Sequence, residues 1–241
     1  MDNQPIPGYR LRRLGRSHLS GVTQPLPGAL EAVIKFDSVE APFCVYCEIV
    51  AVRLGRMLAI PVAEGVLTFT GTRQAFASIR LADDGSPRKL AKHQWMDVAG
   101  RYPQGVAALT AFDILIGNGD RTDNFVASLV SHLPLFQGFD HSHALLCCGR
   151  TAQQSVRELR NGDLVVKSHP FYQLLQRELL ERWVERIAAI PDHYVLECCS
   201  VGQPIGAVSC RMQASLGRAL VVRKNQLRTI VDVHLGIIRP H

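Results

Sequence analysis

Near the middle of the chain, Asp120, Asn124 and Asp140 stand on segments rich in turn formers. The first two fall in Ile116-Gly117-Asn118-Gly119-Asp120-Arg121-Thr122-Asp123-Asn124, and the third in Gly138-Phe139-Asp140-His141. A carboxylate, an amide and a second carboxylate in this order suit phosphoryl transfer from a nucleotide. The first accepts the proton of an attacking hydroxyl, and the other two hold magnesium on the phosphates. Both supply oxygen atoms, the donors that a hard cation prefers. Arg121, next to the candidate base, can orient the loop or neutralise charge.

Phosphate oxygens also need a cation from the protein. Lys35 sits in the apolar strand Glu31-Ala32-Val33-Ile34-Lys35-Phe36, and Glu48 lies on the helix that follows, where it can pair with Lys35 and fix its direction. Each residue has an ordinary alternative. Lys35 can snorkel to solvent, Glu48 can be a surface residue, and Asp and Asn are common in β-turns for conformational reasons. The ordered set Lys, Glu, Asp, Asn, Asp on suitable elements favours the chemical reading.

The elements that must position this set read as follows. Tyr9 to Leu26 is expected to form two short strands around a Gly15–Gly21 turn. The strand at 31–36 precedes a helix opened by Pro42 and running to about Ala59. Glu64 to Thr70 and Gln74 to Leu81 are two further strands. Asp83-Asp84-Gly85-Ser86-Pro87 is the candidate boundary. Beyond it, Lys89 to Val98 and Pro103 to Leu115 read as helices. Asn124 to Val130 and Leu135 to Phe139 are short strands bracketing the chemistry. Pro170 to Ile190, Ala207 to Gly217 and Ala219 to Leu235 are helices. This is an α+β chain: a small β-rich lobe with one helix at residues 1–82, a larger helical lobe at 83–241, and a cleft between them.

Composition narrows the classes. The 241 residues are 47% hydrophobic and 20% charged, which excludes a disordered chain and a membrane bundle. No apolar run approaches the roughly 18 residues of a membrane helix, and the first residues carry no secretory pattern. A net charge of +6 favours anionic partners such as nucleotides. The arginines are scattered, so the charge reads as solvation rather than as a nucleic-acid footprint. Seven cysteines, an odd number with adjacent pairs at 147–148 and 198–199, do not make a secreted disulfide framework. A cytoplasmic location is expected. Cys44 and Cys47 form a CxxC that reads as buried thiols rather than zinc ligands. His141 and His143 are expected to hydrogen-bond to the loops. The apolar stripe of 171–187 reads as a core face, or as a partner-protein groove if exposed.

The two central motifs resemble the catalytic and metal loops of HipA-like kinases, bacterial relatives of the phosphatidylinositol kinases and distant kin of protein kinases. Val33-Ile34-Lys35-Phe36 resembles their ATP-lysine strand, Cys47 to Leu54 the helix after it, and Phe76 to Leu81 the segment entering the interlobe hinge. The resemblance covers about residues 30 to 145. It implies a bilobal protein-kinase-like fold that uses ATP and Mg2+ to phosphorylate serine or threonine of a protein substrate. It also implies roles: Lys35 on the α- and β-phosphates, Glu48 as its partner, Asp120 as base, Asn124 and Asp140 as metal ligands. Arg80 and Leu81 would lie beside the nucleotide, and Ser17 near its phosphates. Three departures stand out. The Asp120–Asn124 interval is one residue shorter than in the family, Thr122 replaces a frequent His, and the Gly15–Gly21 turn has few glycines for a phosphate loop. They motivate one alternative, a catalytically degenerate binding module; a kinase acting on a lipid or small molecule is a further alternative, because it would share the same site chemistry.

Overall fold

The structure is a computed structural model that describes residues 9–17, 19–20, 22–23, 25–80, 90–129, 134–149 and 151–238. The expected boundary at 83–87 and the position of Leu81 lie outside the described residues.

The N-terminal third is built on two small antiparallel sheets. Strands β1 (Leu11–Leu14) and β2 (Gly28–Leu30) form an exposed pair. Among the described residues no second strand forms before Leu26, and β2 begins after Pro25 and Pro27, which have no N–H to give a ladder. Strands β3 (Ala32–Lys35), β4 (Gly65–Thr70) and β5 (Arg73–Ile79) form a sheet in the order β3-β5-β4. Lys35 pairs with Phe76 in its register.

Helix α1 (Cys44–Leu58) runs between β3 and β4 and is buried on nearly every side. That fits its sequence, which is apolar around most of its circumference and so calls for cover on more than one face. The sheet covers it on one side and helical elements on another, where the Tyr46 hydroxyl donates to the Cys199 carbonyl at 2.8 Å.

The rest of the chain is mainly helical: α2 (Trp95–Arg101), α3 (Pro103–Ile116), α4 (Ala152–Asn161), α5 (Arg177–Ala188), α6 (Asp192–Cys199), α7 (Cys210–Asn225) and α8 (Leu227–Ile238). Helix α3 is the hub, flanked by α2, α5, α7 and α8. Pro103 occupies its first turn, where a missing N–H does no harm. Gly117 ends it with a φ of +70°, a conformation that disfavours side chains, and a Cβ there would also strike Leu164. The chain is thereby turned out of α3 into the Asn118–Asn124 loop. A short hairpin, β6 (Phe125–Ala127) and β7 (Phe136–Gly138), follows. Phe125 anchors it on Phe171, with ring centroids 5.0 Å apart.

Several boundaries differ from expectation. The 170–190 helix starts at Arg177, and residues 170–174 form a turn that buries Phe171 and Tyr172. Its stripe is a core face, with Leu180, Val184 and Ile187 buried. The break expected at 218 falls at Gln226, because Gly217 sits inside α7 where α6 approaches: a Cβ there would lie 3.1 Å from Leu196. Helices α4 and α6 were not expected at all. Among the described residues, no helix is long and apolar enough to cross a membrane.

Candidate active site

Lys35, at the end of β3, donates from Nζ to Glu48 Oε1 at 2.6 Å and pairs with Asp140 Oδ1 at 3.0 Å. Three residues far apart in sequence therefore meet at one ammonium. Glu48 is 2% exposed, and His141 fixes it further. The His141 backbone N–H donates to Oε1 at 2.9 Å, and its Nδ1 lies 3.3 Å from Oε2. Burial by itself raises the Glu48 carboxyl, but the hydrogen bonds and charges of His141 and Lys35 outweigh it and leave the pKa below its ordinary value. Lys35 answers in the opposite sense. Its burial favours the neutral amine, yet the two carboxylates hold its pKa above the ordinary value. Both groups are thus charged at neutral pH.

Asp140 follows β7 with a φ of +56°. This left-handed step, which Asp tolerates better than most residues, ends the strand just before the carboxylate that meets Lys35. Its Oδ1 also accepts from the Ser142 hydroxyl at 2.7 Å and from the Ser142 N–H at 3.3 Å. Burial raises this carboxyl too, but Lys35 and Ser142 bring it down to about 2.

The 118–124 loop is held from beneath. Arg121 is fully buried and binds Asp113 on α3 through two parallel contacts, Nε to Oδ2 at 2.8 Å and Nη2 to Oδ1 at 2.9 Å. Its Nη1 donates to the Asn124 carbonyl and, at 2.5 Å, to the Phe139 carbonyl. One guanidinium thus joins α3, the 118–124 loop and the segment entering Asp140. Gly138 makes room for it, since a Cβ there would lie 3.1 Å from Arg121 Nη1 and 2.7 Å from Leu109. Asp113 is also reached by Asn118 Nδ2 at 2.9 Å and by His169 Nε2 at 3.1 Å. Burial opposes its charge, yet Arg121 and His169 keep its pKa far below the usual carboxylate range. The Phe171 N–H points to His169 Nδ1 at 3.3 Å, which assigns the ring proton to Nε2 and directs it at Asp113.

Above this anchor, Asp120 is exposed. Asn124 donates from Nδ2 to the Asp120 carbonyl at 2.6 Å and to its Oδ2 at 3.2 Å. With the nitrogen so engaged, the amide oxygen is left to accept. The Phe139 N–H donates to the Asn124 carbonyl at 2.9 Å, so the backbones leading to Asn124 and Asp140 are paired. An amide oxygen and a carboxylate fit magnesium. Among the described residues no three His, Cys, Asp or Glu side chains gather into a metal cage, so a cation here needs phosphate and water oxygens to fill its shell.

Beside Lys35 and Asp140 opens a cleft of about 340 Å³. Val33, Ile79, Val126 and Phe139 give it apolar walls, and Lys35 and Asp140 form a charged end. This is the size and lining of a small-molecule site.

No protein-family model and no curated protein matches the sequence. Among solved structures, the chain is similar to HipA of Shewanella oneidensis MR-1, solved in its toxin–antitoxin complex with HipB and operator DNA. The TM-score is 0.59 at 15% identity, over 92% of this chain and 68% of that one. It is also similar to the proinflammatory kinase CtkA of Helicobacter pylori, with TM-score 0.53 and 13% identity over 86% of this chain and 90% of that one. The fold is kinase-like. At these identities the likeness concerns the fold alone.

On this kinase-like fold, Lys35 is in direct contact with both Glu48 and Asp140, and Asp120 and Asn124 form a second contacting pair. Arg121 lies in the interior, bonded to Asp113 and to the carbonyls of Asn124 and Phe139, an arrangement that suits orienting the loop, one of its two expected roles. Arg80 lines the cleft and pairs with Glu31 at 3.3 Å. Ser17 is exposed and is not among the residues that line the cleft. Sequence reasoning missed Asp113, Asn118, His169 and Ser142. Asp113 had one available signal: a lone carboxylate in the apolar run of α3, which needs a buried cation.

Proposed function

We propose that the protein is an ATP- and Mg2+-dependent phosphotransferase, and within that class a HipA-like kinase acting on serine or threonine of a protein substrate. The observation that carries this reading is the Lys35 ammonium, held between Glu48 and Asp140 at the charged end of the cleft. The apolar walls would take the adenine, and Lys35 would bind the α- and β-phosphates in the direction set by Glu48. Asn124 and Asp140 would hold magnesium, which neutralises phosphate charge when bound. Asp120 would accept the proton of the acceptor hydroxyl as its oxygen bonds to the γ-phosphorus and ADP leaves. Under this reading residues 1–82 carry the nucleotide side of the site, 83–241 carry the catalytic and metal loops, and the protein works in the cytoplasm.

The test is label transfer from radiolabelled ATP to a protein acceptor or to the protein itself. Transfer should require Mg2+ and should vanish in Asp120→Ala. Label unchanged in that variant rejects the assignment. A second reading, a nucleotide-binding module without turnover, draws on the short Asp120–Asn124 interval and the tie between those two side chains. It predicts a thermal shift with Mg-ATP and no transfer to any acceptor. A lipid or small-molecule acceptor would use the same residues, and a substrate panel separates it from a protein acceptor.

A further inference from the structure

Cys47 and Cys147 are 100 positions apart in the chain, yet their sulfurs lie 4.0 Å from each other, with the Cys47 thiol donating to the Cys147 sulfur. Cys47 is fully buried on α1, one residue before Glu48. Cys147 is partly exposed and closes a short turn that hangs from His141: the Ala144 N–H donates to the His141 carbonyl at 3.0 Å, and the Cys147 N–H to the Ala144 carbonyl at 2.9 Å. The five other cysteines are also unpaired.

We propose that Cys47 and Cys147 are an oxidation site: a hydroperoxide such as hydrogen peroxide converts the pair to an internal disulfide that ties α1 to the turn following Asp140. A disulfide needs sulfurs about 2 Å apart. The missing approach would come from rotation of the two side chains and a small shift of the partly exposed Cys147, since α1 is buried on nearly every side. Chemical bias runs the same way. Burial pushes the Cys44 thiol up to about 12 and that of Cys148 up to about 11, and it raises Cys47, Cys198 and Cys199 as well. Cys147 is lowered, first by the Cys47 hydrogen bond and further by the Phe43 N–H. It is the partner that both meets solvent and carries thiolate character, the combination that peroxide selects.

The steps balance. The Cys147 thiolate attacks one peroxide oxygen, the O–O bond breaks, and hydroxide leaves, giving a sulfenic acid. The Cys47 sulfur then attacks the Cys147 sulfur, the S–OH bond breaks, and water leaves with the Cys47 proton. The hydroxide takes the proton that Cys147 gave up on ionising. In sum, two thiols and one peroxide become one disulfide and two waters. The new bond would hold the Glu48–His141 contact in place, since Cys47 adjoins Glu48 and the Cys147 turn starts at His141. The pair reacts whether or not the cleft takes ATP, so this proposal and the kinase reading fail separately.

The test uses a Cys210→Ser protein, which removes the exposed thiol, treated with equimolar hydrogen peroxide. Expected are a mass loss of about 2 Da, a Cys47–Cys147 linked peptide, a raised thermal midpoint, and reversal by dithiothreitol. Cys47→Ser should lose the disulfide and accumulate a dimedone-reactive sulfenic acid at Cys147, and Cys147→Ser should give neither product. A linkage between other cysteines, direct over-oxidation of Cys147 in the protein that keeps Cys47, or no change in mass would each overturn the proposal.

Discussion

The burial of Arg121 makes a quantitative prediction that separates its two expected jobs. Arg121→Ala leaves Asp113 charged and fully buried, with only Asn118 and His169 as partners. Removing one member of a buried ion pair costs roughly 3–5 kcal/mol. The Phe139 carbonyl also loses its Arg121 donor, whereas the Asn124 carbonyl keeps the Phe139 N–H. A stranded carbonyl adds about 1–3 kcal/mol, and the two effects overlap because one side chain serves both. A loss of about 4 kcal/mol is the reasonable centre, against a total of about 5–15 for a typical domain. At roughly 2–4 °C per kcal/mol for a chain of this length, the thermal midpoint should fall by about 8–16 °C. Arg121→Lys keeps the charge but not the two-pronged grip, and should recover about half of that loss at most. The assay is thermal and urea denaturation followed by circular dichroism, with Asp113→Asn and the double variant completing a cycle. If Arg121→Ala melts within about 2 °C of the parent, the guanidinium is not anchoring the loop, and a direct role at the phosphates becomes the better account.

Asp120→Asn should lower label transfer at least about 100-fold while leaving the Mg-ATP thermal shift in place, since only proton acceptance is removed; equal loss of both would mean that Asp120 acts in binding. Lys35→Met should weaken ATP affinity in calorimetry by about tenfold or more and cost about 2 kcal/mol in stability, because Glu48 keeps both His141 contacts; unaltered affinity would take Lys35 out of the site. Stability should also depend on pH. Glu48, Asp140 and Asp113 titrate lower in the folded chain than unfolded, so their contribution is present above about pH 4 and is lost as pH falls through the folded values. The buried neutral His169, whose pKa is lowered by desolvation, should start that decline near pH 6.5. Lys35 is raised, so its share is present below about pH 10.4 and is lost above it. Urea titrations from pH 3 to 11 should show a plateau flanked by these two limbs, with the acid limb shallower in Glu48→Gln; a parent curve flat from about pH 7 to pH 4 would contradict the assignment.

The residues that meet in space were legible to the extent that polarity contradicted context. Lys35 stood out because a cation in an apolar strand needs a reason, and Glu48 because it interrupts an apolar helix. The turn formers around Asp120 and Asp140 marked the loops because Gly and Asn declare backbone conformation in the sequence itself. The anchor beneath them was not legible. Asp113 is a single carboxylate in α3, and nothing local says that its partner is Arg121 or His169, since their pairing exists only after α3, the loop and the chain before α5 have packed. The burial of Arg121 was hidden for the same reason: its neighbours in sequence are polar and its neighbours in space are core. Helix α6 escaped because it is short, and short helices owe their existence to the surfaces they cover more than to their own periodicity. Helix α4 was legible and was overlooked: Thr151 caps its start by accepting from the Gln154 N–H, and Gly162 ends it with a φ of +76°.

The convergence of charge in the cleft is accompanied by backbone contacts that hold the same segments independently of the ion pairs. After α1 the chain runs along β7, and the Gly138 N–H donates to the Pro61 carbonyl at 2.8 Å while the Ala63 N–H donates to the Gly138 carbonyl at 2.8 Å. That joint fixes the end of β7 against the segment following α1 through backbone bonds alone, and so helps to set Asp140 beside Lys35 without drawing on the ion pairs. Arg121 secures the same segment from the opposite side through the Phe139 carbonyl. Gly138 serves both, because its missing side chain lets the guanidinium and Leu109 close in. Gly138→Ala therefore tests the scheme without removing a charged group. A methyl 2.7 Å from Leu109 and 3.1 Å from Arg121 must push one of them aside. Overpacking of this kind costs about 1–3 kcal/mol. If backbone placement governs the site, this neutral change should weaken Mg-ATP binding as well as stability. If the ion pairs themselves govern it, stability should fall while nucleotide affinity holds.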